Sequence, residues 1–227
     1  MNIEAGSKLQ KNRREIFKSL EFQIANNIPM LGFALFLLNI DRFTKINDKF
    51  GYAVGDAVLL AVKKRLIDAV DPRSAVVRLG GDQFLIIQTS CLGAADASEF
   101  GSMVCNEILR PFEVGKLKVS ISCSIGILID AHDAGDITTM IRCADLALRE
   151  AKLLNNGRFV LFEPSMLAQA VDQEFLEKDL LRAVKDNQFM LYYQPIIAAD
   201  TREIVAVEAL IRWHHPVIPP EISGIQK

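Results

Sequence analysis

Apolar positions along the chain fall into blocks whose spacing switches between helical and extended. Arg13 to Ala25 puts Ile16, Phe17, Leu20 and Ile24 on one side of a predicted helix. Phe33 to Ile40 is an apolar run broken only by Asn39, the pattern of a central strand covered on both faces. A loop is expected from Asp41 to Gly55, then a helix in which Leu59, Val62, Leu66 and Val70 form a stripe. Ala75-Val76-Val77 and Phe84-Leu85-Ile86-Ile87 predict two strands meeting at Gly80-Gly81. Glycine supplies the positive dihedrals that such a turn needs. A helix from about Ala94 to Leu109 stops before Pro111. Val119, Ile121, Cys123, Ile125, Ile127 and Ile129 then alternate with Ser120, Ser122, Ser124 and Gly126, as in a strand. Asp136 is placed to cap a helix carrying Ile137, Met140, Ile141, Ala144, Leu148 and Ala151, and Phe159 to Phe162 reads as a last strand.

The order is helix, strand, helix, hairpin, helix, strand, helix, strand. Its inner βαββαβ pattern predicts an α+β fold of ferredoxin-like type, a central antiparallel sheet flanked by helices. Fold alone assigns no function. Beyond Pro164 the character changes. Asp172 to Lys185 predicts a connector helix with Leu176, Leu180 and Val184 in register, followed by strands over Met190–Ile197 and Ile204–Trp213. The expected division is one domain over 1–165, a connector over 166–187 and a further fragment over 188–227.

Composition narrows the classes. A chain of 227 residues with 50% hydrophobic content has enough apolar material for a core. A formal charge of −2 argues against a general nucleic-acid binder. The longest apolar stretch, Ile28 to Ile40, is short of the roughly 20 residues that span a bilayer. The amino terminus lacks a basic region leading into an apolar core, so a cytoplasmic address is expected. Cys91, Cys105, Cys123 and Cys143 show no Cys-x-x-Cys spacing and are expected as buried, reduced thiols.

The most informative chemistry lies in Arg78-Leu79-Gly80-Gly81-Asp82-Gln83-Phe84. Paired glycines leave bare backbone against which a phosphate can lie, with Asp82 at the edge. The stretch resembles the signature hairpin of the GGDEF family, whose active members condense two GTP molecules into cyclic di-GMP. Further matches come in the family's order: Asn12-Arg13-Arg14; Phe43, Ile46-Asn47-Asp48 and Gly51; Gly55-Asp56; Ser124-Ile125-Gly126; and Ala144 to Leu148 with Ala151-Lys152. The resemblance covers about Asn12 to Phe162, without the Asp-x-Leu-Thr that usually precedes it.

The resemblance implies a metal-assisted reaction in which a ribose 3′-oxygen attacks an α-phosphate and Mg²⁺ neutralises the charge that builds. Active members carry glutamate where Gln83 stands, and the first of an Asp-x-Asp pair where Asn39 stands. Asp41 keeps the second carboxylate and Asp82 remains as metal ligand, so two anionic positions are neutral amides. Losing one such transition-state group commonly costs about 3–4 kcal/mol. Bound Mg²⁺ is therefore expected to be weak or absent, and cyclase activity slight.

Nucleotide recognition is better kept. The counterparts of Asn47 and Asp56 bond the guanine edge in the family, and Phe43, Gly80 and Gly81 belong to the same expected nucleotide site. Lys152 matches a lysine that meets the phosphates. The arginine expected after it falls on Asn156, with Arg158 two residues on. The family's product-inhibition motif, Arg-x-x-Asp, would fall on Asp71-Pro72-Arg73-Ser74, which does not match it. Tyr193-Gln194-Pro195, Glu208-Ala209-Leu210 and Arg212-Trp213 resemble the opening of an EAL domain, the family's cyclic di-GMP phosphodiesterase module. Its fold is a barrel of roughly 250 residues, so a truncated remnant is expected here, with Gln194, Glu208 and Arg212 as its retained positions.

Plainer readings stand beside these. Asp56 caps a helix beginning at Ala57, Lys152 is a solvated helix residue, and Gly80-Gly81 is only a turn. Glu208 is a charge at a strand end, and His214-His215 is structural rather than a zinc pair. The expected function is a regulatory GTP-binding or interaction module of cyclic di-GMP signalling. Its expected partners are GTP and either a second copy of the chain or another such domain. The rivals are a residually active diguanylate cyclase and a structural dimerisation domain.

Overall fold

In β1 (Phe33–Ile40) every residue is buried, which requires cover on both faces of the strand. The computed structural model describes residues 32–72, 74–89, 91–129, 136–154 and 157–214. The helix expected over Arg13–Ala25 lies outside them, as do Asn12 to Arg14, Asn156 and His215.

The elements after β1 are α1 (Phe43–Phe50), α2 (Tyr52–Ala69), β2 (Ala75–Gly80), β3 (Gln83–Thr89) and α3 (Ala94–Leu109). They continue as β4 (Phe112–Val114), β5 (Leu117–Val119), β6 (Cys123–Ile129), α4 (Ile137–Leu153) and β7 (Phe159–Leu161). The sheet order is β2-β3-β1-β6-β7. Its first four strands are antiparallel to their neighbours, as the ferredoxin-like pattern requires, and β7 joins β6 in parallel. That parallel edge follows from connectivity, because α4 carries the chain back along the sheet before β7 begins.

Period-2 alternation divides the core between the faces. Phe36, Leu38, Phe84, Ile86, Ile125 and Ile127 pack with Val58, Val62 and Leu66 of α2 and with Val104 and Ile108 of α3. Phe33, Leu35, Leu37, Leu85 and Ile87 pack with Met140, Ile141, Ala144 and Leu148 of α4. Fully burying each such Leu, Ile or Phe contributes about 1.5–3 kcal/mol. The α4 backbone lies hard against β6, where a Cβ on Gly126 would overlap the Ala144 carbonyl and the Leu148 amide. Asp136 caps α4 as expected, accepting from the Thr139 N–H at 2.8 Å.

Two expectations about these elements need correction. The segment Asp41 to Gly55 is not a loop but holds α1, whose apolar Phe43, Ile46 and Phe50 recur at helical spacing among polar residues. The alternation from Val119 to Ile129 is not one strand. It breaks at residues 120–122, where the Ser122 carbonyl accepts from the Asp41 N–H at 2.9 Å. Before the break, β5 pairs with β4 as a small separate hairpin. All four cysteines are free and buried. A hydrogen bond with Cys105, together with burial, pushes the Cys123 thiol well up, so it stays protonated at neutral pH.

The chain divides after Leu167 into two units. Helix α5 (Ser165–Lys185) crosses that division and starts earlier than its apolar spacing suggested, directly after Pro164, with first-turn bonds to Glu163 and Pro164. In the second unit β8 (Phe189–Ile197) and β9 (Ile204–Trp213) form an antiparallel pair. The indole N–H of Trp213 donates to the Gln188 side chain at 3.1 Å, and the Trp213 ring lies 5.9 Å from that of Phe189. Leu191, Tyr193, Ile196, Val205 and Val207 are exposed.

Candidate functional site

At one end of the sheet, Asn39 of β1 is the direct antiparallel partner of Gln83 of β3 on one side and of Ser124 of β6 on the other. Residues so paired have Cα atoms about 4.5–5.5 Å apart. Asn39 follows Leu35 and Leu37 in alternation, and Gln83 precedes Leu85 and Ile87. Both therefore stand on the face that α4 covers. The result is a row of three uncharged hydrogen-bonding side chains, Gln83, Asn39 and Ser124, across three adjacent strands. Asn39 is only 7% exposed, so a charge introduced there would be poorly hydrated.

The hairpin turn sits against this row. Gly80 and Gly81 have φ of 143° and 53°, which side-chain-bearing residues rarely adopt. The register slips between Arg78 and Gly80, so Leu79 is the bulged residue. The Arg78 guanidinium locks the turn by donating to the Gly81 carbonyl, from Nε at 2.9 Å and Nη2 at 2.6 Å. The Asp82 carbonyl accepts from the Ile40 N–H at 3.1 Å, which ties the turn to the end of β1. Asp82 and Gln83 are both half-buried.

Asp41, two residues beyond Asn39, is turned inward. Its carboxylate accepts from Ser122 Oγ at 2.6 Å, Ser124 Oγ at 2.7 Å and the Gly157 N–H at 3.0 Å. It fastens the end of β1 to the start of β6 and to the segment leading into β7. Sequence reasoning did not assign this role to Ser122, Ser124 or Gly157, nor the turn lock to Arg78. The signal present was the serine face of the alternating segment.

A second cluster forms where α1 meets α2. A Cβ on Gly55 would overlap the Asn47 amide oxygen and lie 3.2 Å from Phe43 Cζ. Glycine at 55 thus lets Asn47 and Phe43 pack directly on α2, next to Asp56. Asp56 does not cap a helix starting at Ala57: α2 already begins at Tyr52, and Asp56 lies exposed in its second turn. Lys152 is exposed in the last turn of α4. Because β6 and β7 are parallel and α4 runs back between them, that turn returns to the sheet end carrying Ser124 and Asn39. In the second unit Gln194 and Glu208 are cross-strand partners, both exposed, and Arg212 is opposite Met190. Glu208 is in the middle of β9, which spans Ile204–Trp213 as expected, rather than at a strand end.

Among the described residues no group of three His, Cys, Asp or Glu side chains is placed to hold a metal ion. The side-chain oxygens around the hairpin end are the carboxylate of Asp82, the amides of Asn39 and Gln83, and the carboxylate of Asp41, which is engaged by three hydrogen-bond donors. No helix of the described residues is long and apolar enough to cross a membrane.

Comparison with known proteins agrees with this architecture. Residues 9–158 match the family model described as diguanylate cyclase, GGDEF domain, and residues 177–222 match the EAL domain model. The chain is 34% identical over 184 residues to the bifunctional diguanylate cyclase/cyclic di-GMP phosphodiesterase MucR of Pseudomonas aeruginosa, covering 81% of this chain and 27% of MucR. It is 32% identical over 186 residues to the cyclic di-GMP phosphodiesterase PdeR of Escherichia coli, covering 81% of this chain and 28% of PdeR. It therefore spans about a quarter of the length of these relatives. An X-ray structure of an EAL/GGDEF domain protein from M. capsulatus superposes with a TM-score of 0.59 at 29% identity, covering 67% of this chain and 100% of that one. The chain belongs to the GGDEF-domain family, and its GGDEF region is followed by a stretch matching the EAL domain.

Proposed function

We propose that this GGDEF domain is a regulatory GTP-binding module of cyclic di-GMP signalling with little or no cyclase activity. The observation that carries the reading is the pairing of Asn39 with Gln83. The two positions where active members place anionic groups are neighbours on adjacent strands, and both hold neutral amides. GGDEF domains generally use Mg²⁺, a hard dication that favours carboxylate oxygen. Asp82 beside two amides, with the Asp41 carboxylate engaged by three hydrogen-bond donors, does not suit it, since an amide oxygen supplies no net charge.

What the chain retains is suited to holding a nucleotide. Asn47 offers donors and an acceptor, and Asp56 offers acceptors, which complements a guanine edge. The locked Gly80-Gly81 turn presents backbone without side chains, and Lys152 supplies a cation from the helix end that returns to this part of the sheet. GTP then biases contacts with a second copy of the chain or with a neighbouring signalling domain. The domain assignment follows the same reading: a GGDEF region over 1–165, a connector over 166–187 and EAL-type sequence over 188–227, retaining Gln194, Glu208 and Arg212.

Titration calorimetry with GTP tests the proposal. Saturable binding that weakens about tenfold in Asp56→Asn, the loss of one base-edge hydrogen-bond acceptor, is expected. No heat at millimolar GTP would leave a scaffolding role instead.

A further inference from the structure

On the other side of α1 from Asn47 lies a cleft of about 630 Å³ that none of the nucleotide-site residues lines. At 3.6 residues per turn, Lys45 and Lys49 project roughly opposite to Phe43 and Asn47, which face Gly55. The cleft lies between this face of α1, the end of α3 at Leu109 and the segment from Lys118 to Ser122. Arg42, Lys45, Lys49 and Lys118 surround it, all exposed, and none forms a salt bridge among the described residues. Its single carboxylate, Asp41, is already taken up by three hydrogen-bond donors. Glu113 faces Lys118 across the β4–β5 ladder but lines a different cleft.

In a chain whose formal charge is −2, four such cations around one cleft form a local field that attracts anions. Lys45 and Lys49, one turn apart, repel each other, which works against the helix they stand on. The floor of the cleft is apolar: Val119 and Ile121 are 3% and 6% exposed, and Phe50 lies beneath Lys49, whose Nζ is 4.9 Å from the ring centroid. The volume falls within the range of about 300–1,000 Å³ usual for small-molecule sites.

We propose that this cleft is a second ligand site, for a phosphate-bearing small molecule with a flat apolar body, a ligand of the nucleotide class. Phosphates engage the lysines and Arg42, while the flat body covers Phe50, Val119 and Ile121. The site is separate from the Asn47–Asp56 cluster, so two ligands bind the domain independently.

The test uses the full chain, ¹⁵N-labelled, in chelator, with ATP and inorganic tripolyphosphate as probes. Both are expected to shift amides of residues 42–50 and 118–122 saturably. ATP should bind several-fold more tightly, because only it has an aromatic body. Lys45→Gln/Lys49→Gln should weaken ATP binding at least about tenfold. Lys118→Gln, on a separate element, should weaken it too, while Lys64→Gln, at an exposed lysine of α2 that lines a different cleft, leaves it within about twofold. Unchanged ATP affinity in both lysine variants would overturn the proposal. So would the absence of saturable shifts at about 10 mM of either probe, shifts confined to residues 80–84, or tighter binding of a poly-glutamate peptide than of ATP. The last result would make this a protein-docking surface.

Discussion

Asn39 stands directly opposite Gln83 in the antiparallel register of β1 and β3. They are 44 positions apart in sequence, yet they occupy neighbouring sites on one face of the sheet. The two amides form a single neutral row, completed by Ser124. Restoring a carboxylate at one position alone would leave the pair half uncharged, so each change hides the effect of reversing the other.

Restoring both positions carries a stability signature. In Asn39→Asp/Gln83→Glu, like charges face each other directly, which costs up to about 1 kcal/mol, and burial of residue 39 adds to this. The melting temperature should fall by several degrees in chelator and recover with millimolar Mg²⁺, while native protein responds little. Scanning calorimetry with and without Mg²⁺ measures it. A double variant whose melting temperature ignores Mg²⁺ would show that the two amides are not the missing metal ligands.

Asp41→Ala removes three hydrogen bonds to a charged acceptor and strands the fully buried Ser124 hydroxyl. The expected loss is about 3 kcal/mol or more, read as a lower urea midpoint at unchanged slope. A loss below about 1 kcal/mol would mean that the serines find other partners.

Gly55→Ala separates recognition from stability. The overlapped atom is the far end of the Asn47 side chain, which can swing away, so the fold should lose only about 1 kcal/mol. The displaced amide no longer faces a base, and GTP affinity should fall about tenfold. Paired urea titration and calorimetry would show the split. Equal losses in both would place Asn47 outside the nucleotide site.

The cap of α4 sets a pH dependence. Hydrogen bonding from the Thr139 backbone N–H holds the Asp136 carboxyl below the usual aspartate range. A carboxyl depressed in the folded state stabilises above its unfolded pKa, and that contribution is lost as pH falls through the folded value. The melting-temperature gap between native protein and Asp136→Ala should thus be full at neutral pH and narrow through the acidic range. A constant gap would show that the cap acts without its charge.

Much of the fold was legible because burial writes itself into spacing. The apolar run of β1, the stripe of α2 and the Asp136-capped pattern of α4 each follow from one periodicity over enough residues. Helix α1 escaped because its eight residues carry only three apolar positions in a polar stretch. The β4–β5 hairpin escaped because its strands have three residues each, while the alternation beyond runs on through a backbone break set by a long-range bond from Asp41. In the site, the residue types were readable but their pairing was not. The cross-strand register of Asn39 and Gln83 is fixed by sheet order, and the inward turn of Asp41 depends on serines more than 80 positions away.

The central claim is that the domain keeps the GGDEF scaffold without the charge to run its reaction. Incubating native protein with GTP and Mg²⁺ at micromolar enzyme, then separating the nucleotides by chromatography, tests it most directly. The account predicts that GTP is recovered unchanged. Appreciable cyclic di-GMP from the native chain would contradict it.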